Sequence, residues 1–169
     1  MILQDSDMRL RPSRLPEDLL AAWAWYHDSE VIQFAQVPGS TAMNWEQIAG
    51  MYYYQQHHGE FYIIEVQTPA GWHAIGDVGL EEDNLPIVIG EAAYRSQGLG
   101  RRIVKLLLAR ARALGWTSVQ AKYVWENNVR SQRLFAGCGF RRQENIQTYA
   151  GHRYFCYRLT FEPEENAVD

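Results

Sequence analysis

The spacing of apolar residues changes along this chain and divides it into a helical opening, a strand-rich middle and a mixed remainder. "MRLRP" alternates and ends at Pro12, which predicts a short first strand. "PEDLLAAWAWYHD" opens on Pro16 and two acids and sets Leu19, Leu20, Trp23 and Tyr26 on one helical face. "NWEQIAGMYYYQQHH" predicts a second helix with Asn44 as its N-cap. After Gly59 the period drops to that of strands. "EFYIIEVQ", "WHAIGDVGLE" and "LPIVIGEA" are separated by the turn sequences "TPAG" and "EDN", a meander pattern.

From Gly98 to Leu114 the period is helical again, with Leu99, Ile103, Leu107, Ala111 and Leu114 on one stripe. Gly115 is placed to stop that helix. "SVQAKYV" follows as a strand, "NVRSQRLFAGCGF" as a short helix broken by Gly137 and Gly139, and "RRQENIQTYAGHRYFCYRLTF" as a closing hairpin around Ala150-Gly151. The order β-α-α-β-β-β-α-β-α-β-β predicts an α/β fold, a mixed sheet with helices on its faces. Residues 1–161 are expected to form a single domain and 162–169 a loose tail.

The segment "AAYRSQGLGRRIV" poses a chemical question. Arg101 and Arg102 fall in the first turn of the predicted helix, where the backbone dipoles disfavour cations by roughly 0.3–1 kcal/mol each. A dinucleotide fingerprint needs a glycine at position 103, which is Ile103, and a P-loop needs a Gly-Lys-Ser/Thr run that is missing. Two meanings survive. One is a tight turn with two solvated arginines. The other is a loop whose free N–H groups meet the positive end of a helix and hold a pyrophosphate, which the arginines would then favour.

Composition narrows the classes. A formal net charge of −4 argues against general nucleic-acid binding and suits a cationic small substrate. Two cysteines, Cys138 and Cys156, form neither a disulfide framework nor a zinc spacing, so a reducing cytoplasm is expected. "MILQDSDMRLRPS" lacks the basic start and apolar centre of a signal peptide, and no run approaches a membrane span. His57 and His58 have no further ligands at metal spacing, so no metal is expected.

A second segment carries a resemblance. In "VWENNVRSQRLFAGCGF", Asn128, Ser131 and Phe135 share a helical face, and Gly139-Phe140 follows a sharp break. Together with Arg95-Ser96-Gln97-Gly98-Leu99-Gly100, which fits the loop pattern R/Q-x-x-G-x-G/A, the chain resembles the GNAT N-acetyltransferase superfamily. The pattern Asn-x-x-Ser is similar to that of its ribosomal-protein N-terminal acetyltransferase branch. The resemblance implies a mostly antiparallel central sheet with a splayed strand pair and helices on both faces. It also implies acetyl-CoA as cosubstrate, with its pantetheine arm filling the splay. Backbone groups of Ile89, Gly90 and Glu91 would pair with that arm, and the N–H groups of Gln97, Gly98, Leu99, Gly100, Arg101 and Arg102 would hold the pyrophosphate. Asn128 would bond the arm, Phe135 would belong to the same site, and an N–H near Gly90 would hold the oxyanion.

Acetyl transfer from a thioester to an amine needs a proton taken from the ammonium and a donor near the departing sulfur. Many relatives place a tyrosine seven residues after the asparagine, where this chain has Phe135. Ser131, one turn earlier, is the replacement candidate. Tyr123 stands where some relatives carry a catalytic glutamate. The base stays open among Glu91, Glu126, Tyr149 and a water chain. "MYYYQQHH" is either pocket lining or core plus a wet helix end, and Cys138 reads as a small buried residue. The acceptor is a primary amine on a small molecule or a protein N-terminus, with a polyamine, an aminoglycoside and a basic protein all open. The oligomeric state is equally open, a homodimer included.

Overall fold

The computed structural model describes residues 1–162; the expected loose tail falls, from residue 163 onward, outside the described residues. Strands β1 (Leu3–Asp5) and β2 (Met8–Pro12) make an N-terminal hairpin. Helices α1 (Leu19–Tyr26), α2 (Ser29–Phe34) and α3 (Trp45–His58) follow. Then come β3 (Gly59–Thr68), β4 (Gly71–Glu81) and β5 (Ile87–Ile89). After α4 (Leu99–Ala113), β6 (Ser118–Trp125) and α5 (Val129–Gly137), the chain closes with β7 (Arg141–Arg142), β8 (Gln147–Tyr149) and β9 (His152–Thr160).

Every strand pair is antiparallel, in two sheets. The first runs β1-β2-β3-β4-β5; the second runs β6-β9-β7, with β8 also on β9. No ladder joins β5 to β6, so the sheet opens at that point. The α/β architecture with a splayed strand pair is the one expected.

Strand alternation feeds two cores. Along β3, Tyr62, Ile64 and Val66 face one way, against Ile103, Val104 and Leu107 of α4 and Val119 and Ala121 of β6. Phe61 and Ile63 face the other way, against Leu19, Trp25, Ile48 and Tyr52 of the first three helices. The α4 stripe therefore holds the two sheets together, and α1–α3 cover the opposite face. Arg11 ties these layers: its guanidinium reaches Asp18 at 2.6 Å and Glu65 at 2.8 Å, and both acids are buried. A buried ion pair with all its hydrogen bonds made fixes the angle of α1 on the sheet better than it adds stability.

Several local signals read as predicted. Asn44 caps α3 in a reciprocal capping box with Gln47, and Gly115 ends α4 with φ +79°. The closing turn has Ala150 and Gly151 at φ 48° and 79°, the paired positive values of a type I′ hairpin.

Others need correction. Leu20, expected on the buried face of α1, is 74% exposed; the buried set is Leu19, Ala22, Trp25 and Tyr26. Ser29–Phe34 forms a separate helix because the Asp28 carboxylate accepts the N–H groups of Glu30 and Val31, a fresh N-cap. β1, only three residues long, was too short to show a period.

Candidate active site

The opening between β5 and β6 leads into two adjoining cavities. Their placement begins with β5. Gly79 N–H donates to Pro86 O at 2.9 Å, so the hydrogen-bonded pairs of this ladder alternate through Asp77–Val88. Ile87 and Ile89 consequently turn their amide groups away from β4 and into the splay. One step on, the register slips: Glu91 N–H, not Gly90 N–H, takes Ile75 O at 3.0 Å. Gly90 N–H is thereby left without an acceptor among the described residues. Gly90 itself is required by a close approach, since an added Cβ would lie 2.1 Å from Trp25.

Arg95 braces this bulge. Its guanidinium donates to Ile89 O at 2.8 Å, to Gly90 O at 2.5 Å and to Asp28 Oδ1 at 2.9 Å. Its buried Nη1 lies 3.5 Å from Glu30 Oε2 with no hydrogen-bond partner. Beyond it, Ser96 and Gly98 both take positive φ (60° and 80°), and Gly98 begins α4. The first helical bond is Arg102 N–H to Gly98 O at 3.4 Å, so the amides of Leu99, Gly100 and Arg101 have no acceptor within the helix. Leu99 is buried in the core and holds this turn down. The exposed Gln97 bonds back to Ala93 O.

The two arginines that drew attention part company. Arg102 donates to Asp5 and Asp7 at 2.8 and 2.7 Å, and these hydrogen bonds hold its pKa above the ordinary value. Its side chain is paired within the N-terminal hairpin, so its presence at the helix start requires neither open solvation nor a bound anion. Arg101 has no ion pair among the described residues and is exposed at the mouth of the loop. Its charge and that of Lys105 both reach Cys138, whose thiol burial nevertheless pushes up.

On the far side, Asn128 starts α5. Its Oδ1 accepts Ser131 N–H at 3.1 Å and its Nδ2 donates to Phe34 O at 3.0 Å, so its amide already ties α5 to α2. Ser131 Oγ has no partner among the described residues. Phe135, expected at the cofactor, is 2% exposed and packs edge-on against Phe140 at 5.3 Å. Tyr123 sits in a bulge of β6 with φ 53°, half-exposed, its ring 4.9 Å from that of Tyr154. Among the open base candidates, Glu91 lies 3.1 Å from His73 and Glu126 lies 3.1 Å from Arg153, while Tyr149 faces a cavity. The helix stretch "MYYYQQHH" is core at Tyr52 and wet at Tyr53 and Tyr54, which stack on His57 and His58.

The first cavity, about 290 Å³, runs from Ile89 and Arg95 past Gly100 to Asn128 and Leu134. The second, about 540 Å³, is walled by Tyr26, Met51, Lys122, Tyr123, Trp125 and Tyr149. Phe34, Ile87, Val88, Asn128 and Ser131 line both. Sequence reasoning missed Tyr26, Phe34 and Trp125 here, because only the fold brings α1, α2 and β6 together.

A helix-terminal anion loop beside an open strand edge, joined to a second cavity, suits a ligand with a phosphate group and an extended arm. The family model of the acetyltransferase (GNAT) domain matches residues 7–141, and the chain belongs to that family. Among solved structures, a domain from Methanocaldococcus jannaschii superposes with a TM-score of 0.78 at 21% identity, covering 91% of this chain and 98% of that one. Spermidine N-acetyltransferase from Vibrio cholerae, in complex with CoA and spermine, gives 0.72 at 16% identity, with 92% and 96% covered. A ribosomal L7/L12 alpha-N-protein acetyltransferase in complex with coenzyme A gives 0.76 at 13%, with 95% and 98% covered. At these identities the likeness is one of fold. No curated protein sequence matches the chain significantly. No helix among the described residues is long and apolar enough to cross a membrane.

Proposed function

We propose that this chain is an acetyl-CoA-dependent N-acetyltransferase that acetylates a primary amine by direct transfer. The observation that carries this is the meeting of two cavities at Ser131, one beside the Gly98 loop and one walled by aromatic rings. Bound acetyl-CoA would supply an activated acetyl group. The residues fit such a donor: free amides from Leu99 to Arg101 and the Arg101 side chain suit a pyrophosphate, and the amides of Ile87 and Ile89 suit an extended arm. The orphaned Arg95 Nη1 is a further buried donor in the same wall. Gly90 N–H, which has no acceptor among the described residues, would stabilise an oxyanion, a contribution typically of about 3 kcal/mol. Fold neighbours named for spermidine and for a ribosomal protein's α-amino group support an amine acceptor.

A thermal-unfolding scan with acetyl-CoA tests this. At about 100 times its dissociation constant a ligand adds roughly 2.7 kcal/mol, a shift of several degrees. An unchanged midpoint at saturating acetyl-CoA overturns the proposal. A non-catalytic CoA-binding module is the second reading, favoured by Phe135, which has no proton to give. Thiol release with any amine separates the two.

Ser131→Ala is expected to lower kcat by about tenfold to a hundredfold, at or below the low end for a general acid, while leaving acetyl-CoA affinity unchanged. An unaltered kcat removes Ser131 from the chemistry. Asn128→Ala is the structural comparison: losing the cap of α5 costs about 1 kcal/mol of stability and loosens the wall shared by both cavities.

A further inference from the structure

The second cavity has a chemical signature of its own. Its wall includes Tyr26, Phe34, Tyr123, Trp125, Phe135 and Tyr149, along with Met43 and Met51, and no carboxylate among the described residues lines it. The one cation in the wall, Lys122, is paired with Asp83 on the outer surface. Asp77 is the carboxylate that lies behind this wall, but it is 2% exposed, and Tyr26 and Tyr52 donate to its two oxygens at 3.0 and 2.8 Å. The nearest acid of the first cavity, Glu30, is engaged by Arg130 at 3.2 Å.

A polyamine or aminoglycoside brings several ammonium groups, and each one beyond the reacting amine must be desolvated. Proteins make that burial favourable with carboxylates. This wall has none to offer. Aromatic faces hold a single ammonium by cation–π attraction and bury an apolar body well, and a cavity of this size accommodates a small ligand. The net charge of −4 resides elsewhere on the molecule, so the overall acidity that suggested a polycation does not describe this site.

We propose that the acceptor is a monoamine on an aromatic or aliphatic body, and not a polycation. The proposal rests on the acetyltransferase reading above and names the acceptor class of that site. The free amine of a small arylalkylamine and the N-terminus of a peptide beginning with an aromatic residue share this chemistry.

The test uses the full chain with acetyl-CoA and follows thiol release with tryptamine, tryptophanamide, a Trp-initiated peptide, spermidine and kanamycin. A second, activity-independent readout is the quenching or shift of tryptophan fluorescence when tyramine or spermidine is added to the CoA-bound protein. Expected is a kcat/KM at least about tenfold higher for an aromatic monoamine or the peptide than for spermidine, with fluorescence changes for tyramine alone. Preference for the free amines assigns a small-molecule source, and preference for the peptide assigns a polypeptide N-terminus. Tyr123→Glu, at an exposed position of the wall, is expected to narrow or reverse the preference by supplying the missing carboxylate. Spermidine or kanamycin as the better substrate overturns the proposal while leaving the acetyltransferase reading intact. Thiol release with none of the five, when acetyl-CoA still raises the melting temperature, also overturns it and favours the non-catalytic CoA-binding reading. Absence of any response to acetyl-CoA removes the acetyltransferase reading, and this proposal falls with it.

Discussion

Gly76→Ala is expected to be the most damaging single-methyl change in the active-site half of the sheet. The added Cβ would sit 2.0 Å from Val88 O and 3.0 Å from Ile89 Cα. Both obstacles are backbone, so no rotamer change relieves them. Either β5 moves away from β4 or the ladder around Asp77–Val88 breaks, and β5 is the strand whose outward amides line both cavities. Overpacking of this kind costs about 3 kcal/mol at the upper end of the usual range, roughly 6–12 °C in a domain of this size. Acetyl-CoA stabilisation should disappear with it. Gly100→Ala is the control, because its Cβ meets only the flexible end of Leu134 at 3.2 Å. Thermal unfolding of the two variants checks the contrast. A Gly76→Ala midpoint within a degree or two of the parent, with acetyl-CoA stabilisation retained, would show that β5 is not held where the structure holds it.

That contrast also marks where the sequence is legible. The Gly98–Gly100 turn and the α4 stripe could be read directly, since a left-handed glycine ahead of a 3.6-residue apolar period is a local signal. The same holds for the capping box at Asn44 and the turn at Ala150-Gly151. Gly76 and Gly90 carried no such signal. Their need for glycine arises from Val88 O and from Trp25, which other elements bring against them.

Charge was legible only in part. Two adjacent arginines at a helix start posed a real electrostatic question, but Arg102 is satisfied by Asp5 and Asp7, some 97 and 95 residues away. Nothing local distinguishes it from Arg101, which has no ion pair among the described residues. Arg95 likewise reads as the first letter of a cofactor loop. In the fold its side chain also clamps the carbonyls of Ile89 and Gly90, which fixes the bulge at Gly90. Ser131 and Asn128 could be placed on one face by spacing, whereas the cavity wall they share with Phe34 and Ile87 follows from long-range packing.

Asp77→Asn should change how stability depends on pH. Asp77 lies in the middle of β4 in the sequence "AIGDVGL", where a strand period predicts only core. It is fully buried, and burial pushes its pKa from 3.8 up to about 7, outweighing the two tyrosine hydrogen bonds that favour the carboxylate. Burial raises the Tyr26 hydroxyl as well, so it remains a donor across the working range. Because the native pKa is the higher one, the folded protein holds this proton more tightly than the unfolded chain does. The stabilisation is therefore complete below about pH 4 and is lost as pH rises toward 7, by a total of about 4 kcal/mol. Glu60 and Asp7 act in the opposite sense: hydrogen bonds from Arg110 and Arg102 hold their pKa values low, so their contributions fade as pH falls. The difference between the parent and the variant isolates Asp77 from them. The asparagine amide cannot ionise, and its oxygen and NH2 can still bond the two tyrosine hydroxyls. Asp77→Asn is thus expected to lose the decline between pH 4 and 7 and to be the more stable protein at pH 8. Denaturant midpoints of both proteins across that range decide it. Parallel curves would mean that the carboxyl group titrates at its ordinary value and is not desolvated as the buried geometry requires.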